Sequence, residues 1–162
     1  MPHAAATPPP GARLAAAVEV LKAANNEYWT TEVEAQRRTA AAWIAFAGGK
    51  RDDALGLMRS AADIEDASEK SAISPGRIVP ARELLGDMLL ESGRFDEALA
   101  AYEATLVNDP KRFRSFNGAA QAAAAAGNRD KARYYFGRMI EMADAGSDRA
   151  TLAKARAYLA AN

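Results

Sequence analysis

Large apolar side chains recur every three or four positions along most of the chain, separated by short polar runs. Near the start, Leu14, Val18 and Leu21 fall on one stripe of a predicted helix over 12–25. A last helix is predicted over 148–160, where polar turn residues give way to a final apolar stripe. Between them the pattern predicts six more helices, near 28–47, 52–67, 80–91, 95–107, 111–126 and 129–142. The chain is therefore predicted to be all-α, with about eight helices.

One spacing occurs three times along the chain. A glycine and a short polar turn lead to an alanine, and a large side chain follows four residues later. The three sets are Gly49, Ala54 and Met58; Gly93, Ala98 and Tyr102; and Gly127, Ala132 and Phe136. The second and third sets lie 34 residues apart, whereas the first and second lie 44 apart. This difference indicates a repeat of 34 residues with an insertion of ten.

Each residue type in the repeat has a physical reason. Glycine ends a helix where the backbone must turn left-handed. An Asp or Asn near the next helix start offers an oxygen to cap free N–H groups. The alanine is small enough for two helices to cross closely, and the residue four positions later lies on the same face. The pattern thus predicts paired helices.

The middle unit carries Leu85-Gly86, Gly93, Phe95, Ala98, Tyr102 and Pro110. With these residues the chain resembles the tetratricopeptide-repeat (TPR) family, and in particular the C-terminal part of longer bacterial TPR proteins. The resemblance implies a right-handed α-solenoid of three helix pairs, with helices 12–25 and 148–160 as caps. The implied layout is a leader (1–11) and one helical domain (12–162), with repeats 35–68, 79–112 and 113–146 and an insertion 69–78.

The resemblance also implies a binding groove lined by the first helix of each pair. The candidate residues are Thr39, Trp43, Phe46, Glu83, Asp87, Leu90, Arg114, Asn117 and Gln121. Glu83 and Asp87 favour a partner that presents Lys or Arg, while Arg114 suits an acid at the groove edge. A solvated acidic face that also includes Glu91 is the alternative, and Trp43 is alternatively a core residue.

The insertion is the most individual segment of the chain. Its candidate residues are Lys70 and Arg77, which either shape the binding surface or belong to a linker that shields a helix junction.

Composition narrows the function classes. Alanine supplies 41 of 162 residues and Val plus Ile only ten, which favours helices over sheets. Cysteine is absent and the single histidine is His3 in the leader, so thiol and histidine catalysis lack their residues. Basic and acidic residues balance at 21 each, which argues against a nucleic-acid partner. The chain has no apolar stretch of about 18 residues, so no membrane span is predicted.

We therefore predict a non-catalytic protein–protein interaction module with no cofactor and no metal site. Its partner is a protein or peptide, bound as a segment or helix in the groove. The alternative is a structural solenoid that self-assembles into a homo-oligomer through the last helix, where Tyr158 and Leu159 supply apolar surface. The lack of cysteine favours the cytoplasm, and a longer precursor would also fit the periplasm.

Overall fold

A computed structural model describes residues 9–68, 78–143 and 149–161 of the chain. Within these ranges the regular structure consists of α1 (Pro10–Ala23), α2 (Glu27–Ala47), α3 (Arg51–Ala67), α4 (Ala81–Glu91), α5 (Phe95–Asn108), α6 (Phe113–Ala125), α7 (Arg129–Met142) and α8 (Ala150–Ala161). The predicted all-α fold is confirmed, and each helix end lies within two residues of its predicted position. Contacts between residues divide the chain into two compact units, Met1–Ala81 and Arg82–Asn162. The single domain 12–162 stays a prediction.

The first unit is built from helices that follow one another in sequence. Helix α1 packs against α2, and α2 packs along α3. Small and large apolar side chains share the core, since Ala42 and Met58 are fully buried and Val18 and Leu55 nearly so. Alanines at such positions let the helix backbones approach closely.

The second unit follows the same principle. Helix α5 packs against α6, α6 against α7, and α7 against α8. Its core includes Ala98, Tyr102, Ala132 and Phe136, each at most 5% exposed. The prediction that the repeated alanine and the residue four positions later belong to the core is thereby confirmed. Sequence-adjacent helices packed side by side are the arrangement of an α-solenoid.

The three repeated glycines end helices in the left-handed conformation. Gly49, Gly93 and Gly127 have φ of 78°, 74° and 76°, which confirms the sequence prediction. At the second of them, the Arg94 amide donates to the Leu89 carbonyl at 2.9 Å and closes the turn.

A fourth turn of this kind joins α1 to α2, and sequence analysis did not find it. Asn25 takes the place of glycine, with φ of 50°. The Asn26 amide then donates to the Leu21 carbonyl at 3.0 Å. The Asn26 side chain also caps α2, because its oxygen accepts from the Trp29 amide at 3.2 Å. Asparagine tolerates the left-handed region better than other side chains, so the pair Asn25-Asn26 serves as turn and cap.

The predicted side-chain cap occurs at one of the three repeat turns. The Asn128 side chain accepts from the Lys131 amide at 3.1 Å and caps α7. At α3 and α5 the cap positions are Lys50 and Arg94, and neither side chain makes a cap hydrogen bond. The prediction is wrong there because the acidic residues enter the first helical turn, where they interact with the positive end of the helix dipole.

Tyr102 lies at the centre of the second unit, between two glycines of neighbouring helices. Its side chain is 1% exposed. A Cβ atom added at Gly86 of α4 would come within 2.8 Å of the tyrosine ring, and one added at Gly118 of α6 would come closer still. The ring therefore occupies the space that side chains at both positions would need, and it holds α4, α5 and α6 together.

We predict that Gly118→Ala destabilises the protein. Alanine is the better helix former by about 1 kcal/mol. The clash with Tyr102 opposes this gain, and overpacking of a filled core typically costs about 1–3 kcal/mol. Urea unfolding followed by circular dichroism measures the balance, and we expect a net loss of stability.

Gly137→Ala is the matched control, because a Cβ atom there meets nothing within 4 Å and the residue lies in the middle of α7. This variant should gain up to about 1 kcal/mol. Equal gains in the two variants would show that Tyr102 does not fill the space beside Gly118.

Candidate functional site

Two helices of the second unit bring four charged side chains together. Glu83 and Asp87 lie four residues apart on α4 and therefore share one face. Arg112, the residue before α6, and Arg114 in its first turn approach that face. We call these four residues the α4–α6 cluster.

Glu83 is the buried member of the cluster, with no exposed surface. One of its oxygens accepts from Arg114 Nη1 at 2.7 Å, and the Arg112 guanidinium donates to both, at 3.1 and 3.2 Å. The Ser115 hydroxyl donates to the same carboxylate. A buried carboxylate is stable only when its oxygens have such partners.

Asp87 is half-buried and connects the cluster to the core. Its carboxylate accepts from the Tyr102 hydroxyl at 2.7 Å and from Arg114 Nη2. The ring that packs between Gly86 and Gly118 is thus also fixed at its polar end. Arg114 in turn bridges the two carboxylates, so its guanidinium is held by both.

The two carboxylates respond differently to the cluster. Burial alone would raise the pKa of Glu83, but hydrogen bonds from Arg112, Ser115 and Arg114 outweigh it and hold the pKa below its ordinary value. For Asp87 burial prevails over the Tyr102 and Arg114 hydrogen bonds, and its pKa is raised. Burial and the bond to Asp87 also raise the pKa of the Tyr102 phenol.

The alternative of a solvated acidic face is wrong for Glu83, which is fully buried, and only Glu91 is exposed. The physical reason is that Arg112 and Arg114, at the start of α6, contact α4. They supply positive charge and hydrogen-bond donors to its carboxylates. A Lys or Arg from a partner would have to compete with these internal arginines for Glu83 and Asp87.

The accessible part of this region lies on α6. Arg114 keeps 48% of its side chain exposed, although two carboxylates hold it. Asn117 is half-buried and Gln121 is exposed, and the Gln121 amide donates to the Asn117 carbonyl at 3.4 Å. These residues follow at positions i, i+3 and i+7, so they form one stripe. Leu90 of α4 is half-buried.

The first unit holds the aromatic candidates on α2. Thr39, Trp43 and Phe46 are all half-buried. The Trp43 and Phe46 rings meet edge to face with centroids 5.6 Å apart, and the Arg51 guanidinium lies 5.0 Å from the Phe46 centroid. Trp43 is thus intermediate between a core residue and a surface one, and the pair presents a small apolar patch. We call it the α2 aromatic patch.

The structure brings Glu83, Asp87 and Arg114 into direct contact through internal ion pairs, and their role in binding a partner stays a prediction. It also pairs Trp43 with Phe46 in the other unit. Lys70 and Arg77 of the insertion lie outside the described residues.

Sequence analysis missed Arg112, Ser115 and the hydroxyl of Tyr102 as members of the polar network. A signal for the first two exists, since Arg112, Arg114 and Ser115 follow Glu83 by 29 to 32 residues, close to the 34-residue repeat. Residues one repeat apart lie on adjacent first helices, so opposite charges at this separation indicate an ion pair.

In 9–68, 78–143 and 149–161, His, Cys, Asp and Glu side chains form no group of three or more that suits a metal ion. Among the helices of these ranges, none combines the length and the apolar character needed to cross a membrane.

Comparison with known proteins identifies a solved structure with a similar fold. No protein-family model matches the chain, and no curated protein matches it. Among solved structures, the crystal structure of PcrH from Pseudomonas aeruginosa is similar, with a TM-score of 0.58 and 22% sequence identity. The match covers 78% of this chain and 89% of PcrH. It shows a shared fold of TPR-like helical repeats.

We predict that Glu83→Gln lowers the free energy of unfolding by about 2–3 kcal/mol. Loss of one member of a fully buried ion pair costs about 3–5 kcal/mol, and the value is smaller here because both arginines reach solvent. Glu91→Gln on the same helix is the control, which should change stability by less than about 0.5 kcal/mol because Glu91 is exposed. Urea unfolding measures the stability of both variants. Equal losses would contradict a stabilising role of the α4–α6 cluster.

The two carboxylates should also affect acid stability with opposite sign. Native Glu83 binds its proton less tightly than the unfolded chain, so its contribution is present above the ordinary pKa of 4.5 and is lost as pH falls through the native value. The pKa of Asp87 is raised, so its protonation favours the native state.

Urea unfolding between about pH 6 and about pH 3 tests this difference in sign. The stability difference between wild type and Glu83→Gln should shrink as pH falls. Relative to Asp87→Asn, the wild-type protein should instead gain stability as pH falls. Slopes of the same sign would contradict the opposed shifts.

Proposed function

We propose that this protein is a non-catalytic protein-interaction module that binds a peptide segment or helix of a partner. The support is the repeat pattern, which resembles the TPR family, together with the fold that the chain shares with PcrH. The catalytic candidates are few, since the chain lacks cysteine and its only histidine is His3.

One observation carries the proposal most directly: Arg114 is fixed in place and yet accessible. Its guanidinium donates to Glu83 and Asp87, and 48% of its side chain is exposed. Ordering a long side chain on binding costs about 0.5–1.5 kcal/mol, and here folding has already imposed that order. A preorganised arginine at the surface is a typical anchor for a partner.

The partner that suits this surface presents oxygen. A guanidinium has five N–H donors in a planar fork, which match a carboxylate or a backbone carbonyl. Asn117 and Gln121 continue the stripe with side-chain amides, which both donate and accept. In this proposal Glu83 and Asp87 act by positioning Arg114, and the bound segment runs along α6 past Leu90.

The α2 aromatic patch, in the first unit, is a separate candidate surface. Trp43 and Phe46 are half-buried, so their rings have support from the first unit and still offer surface. Aromatic side chains contribute most at such positions because they bury much area with few rotatable bonds. We propose that the patch takes an apolar side chain of the partner.

The test is quantitative binding to a partner first captured by cross-linking and mass spectrometry. Titration calorimetry should show Arg114→Gln weakening the affinity about tenfold, the value of one charged hydrogen bond. Trp43→Ala should weaken it as well. Lys111→Gln, an exposed residue just before α6, is the control and should bind as wild type does.

Arg114→Lys separates geometry from charge, because it keeps the charge and loses the fork. We expect an intermediate affinity. Unchanged affinity in Arg114→Gln and Trp43→Ala, with folding verified by circular dichroism, would contradict the proposed surfaces.

Self-assembly through α8 stays a prediction. Tyr158 and Leu159 are half-buried, and the Tyr158 ring packs on Phe136 with centroids 4.8 Å apart. This internal contact uses apolar surface that the alternative assigns to a second copy.

A further inference from the structure

The first unit contains a cleft that neither the repeat pattern nor the proposed function uses. Helices α1, α2 and α3 border it, and its volume is about 600 Å³. Val18 and Ile64 contribute apolar surface, and Glu34, Arg37 and Arg38 of α2 contribute charge. The cleft is therefore neither an apolar groove nor a simple solvated face.

Two arginines in the cleft share one carboxylate. Arg37 donates to both oxygens of Glu34 from Nε and Nη2, each at 2.7 Å. Arg38 donates to Glu34 from Nε at 2.7 Å, and its Nη1 donates to the Ser60 hydroxyl. Hydrogen bonds from Arg37, then from Arg38, lower the pKa of Glu34 to about 2, so this carboxylate stays ionised.

Arg37 and Arg38 together have more N–H donors than the hydrogen bonds that they make. Two guanidinium groups have about ten N–H donors between them, and four hydrogen bonds occupy them within the described part of the chain. About six N–H donors therefore remain on side chains that are 36% and 33% exposed. The other charged pair of the cleft, Glu19 and Lys22, is joined at 3.0 Å and is neutral as a pair. Among the described residues that line the cleft, one positive charge is therefore left over.

This cleft faces away from the α2 aromatic patch. Glu34 and Trp43 are nine residues apart, which is about two and a half turns of an α-helix. Their side chains therefore point to opposite sides of α2. A ligand in the cleft would not compete with a partner held by Trp43 and Phe46.

We infer that the α1–α2–α3 cleft is a second binding site, which takes a carboxylate side chain of an acidic polypeptide segment between Arg37 and Arg38. Charge complementarity supports an acid, and the planar forks match a carboxylate as they already do with Glu34. The volume holds several residues and far exceeds a single small anion, and Val18 and Ile64 offer contact to neighbouring apolar side chains. The leader, residues 1–11, contains no Asp or Glu and so cannot supply the acid.

The first experiment follows the side-chain Nε–Hε signals of Arg37 and Arg38 by NMR in the full chain. The probes are two hexapeptides with blocked termini. The first contains Glu and Leu, and the second has Gln in place of every Glu. We expect the Glu peptide to shift both signals to saturation and the Gln peptide to bind at least tenfold more weakly. Equal binding of the two peptides would overturn the inference.

Variants give a test with opposite signs. Arg37→Gln removes donors and charge, and the Glu peptide should bind at least tenfold more weakly. Glu34→Gln removes the internal competitor and raises the net charge of the cleft from about +1 to about +2, so binding should tighten several-fold. Arg133→Gln, an exposed arginine on α7, is the control and should bind normally. Weaker binding in Glu34→Gln would contradict the site.

A competition arm separates a peptide site from a small-anion site. Inorganic phosphate at the concentration of the Glu peptide should leave it bound, and displacement would overturn the assignment to a polypeptide. Arg114→Gln should not change the response of the Arg37 and Arg38 signals to the Glu peptide, so a failure here and a failure of the proposed function are distinguishable. If Arg37→Gln unfolds, the NMR comparison of the two peptides on wild type decides alone.

Discussion

The packing of Tyr102 between Gly86 and Gly118 is the contact on which the second unit depends. The ring brings three helices to close approach, and its hydroxyl bonds to Asp87 at the surface end. Asp87 and Glu83 then hold Arg114, which faces solvent. A single aromatic residue therefore links core packing to the geometry of the accessible surface, and small residues on both sides are the condition for that link.

Repeat spacing predicted the helices, the left-handed glycines and the buried alanines, because each depends on local chemistry that recurs every 34 residues. It missed the turn at Asn25, where a different residue type adopts the same conformation. It also placed Glu83 on a polar face, since helical spacing alone does not show that Arg112 and Arg114 arrive from α6. Such contacts depend on how far a side chain of one helix extends toward the next helix. A single sequence does not show this distance.

Charge is used in contrasting ways in the two units. In the α4–α6 cluster two carboxylates and two arginines cancel, and the result is a fixed scaffold for one accessible guanidinium. On α2, two arginines share Glu34, and among the described residues that line the cleft one positive charge has no counterpart. The balanced network favours rigidity, whereas the unbalanced one favours an external anion. Neutral net charge of the whole chain conceals this difference.

The short turns at Asn25, Gly49, Gly93 and Gly127 also bear on how the chain reaches its native state. Within each unit, packed helices follow one another in sequence, and Glu83 and Ser115 are only 32 residues apart. Local contacts of this kind require little loop closure before they stabilise the structure, and helical proteins with low contact order fold in microseconds to milliseconds. Helices α1 to α3 can therefore pack together while the ribosome is still adding the residues that follow.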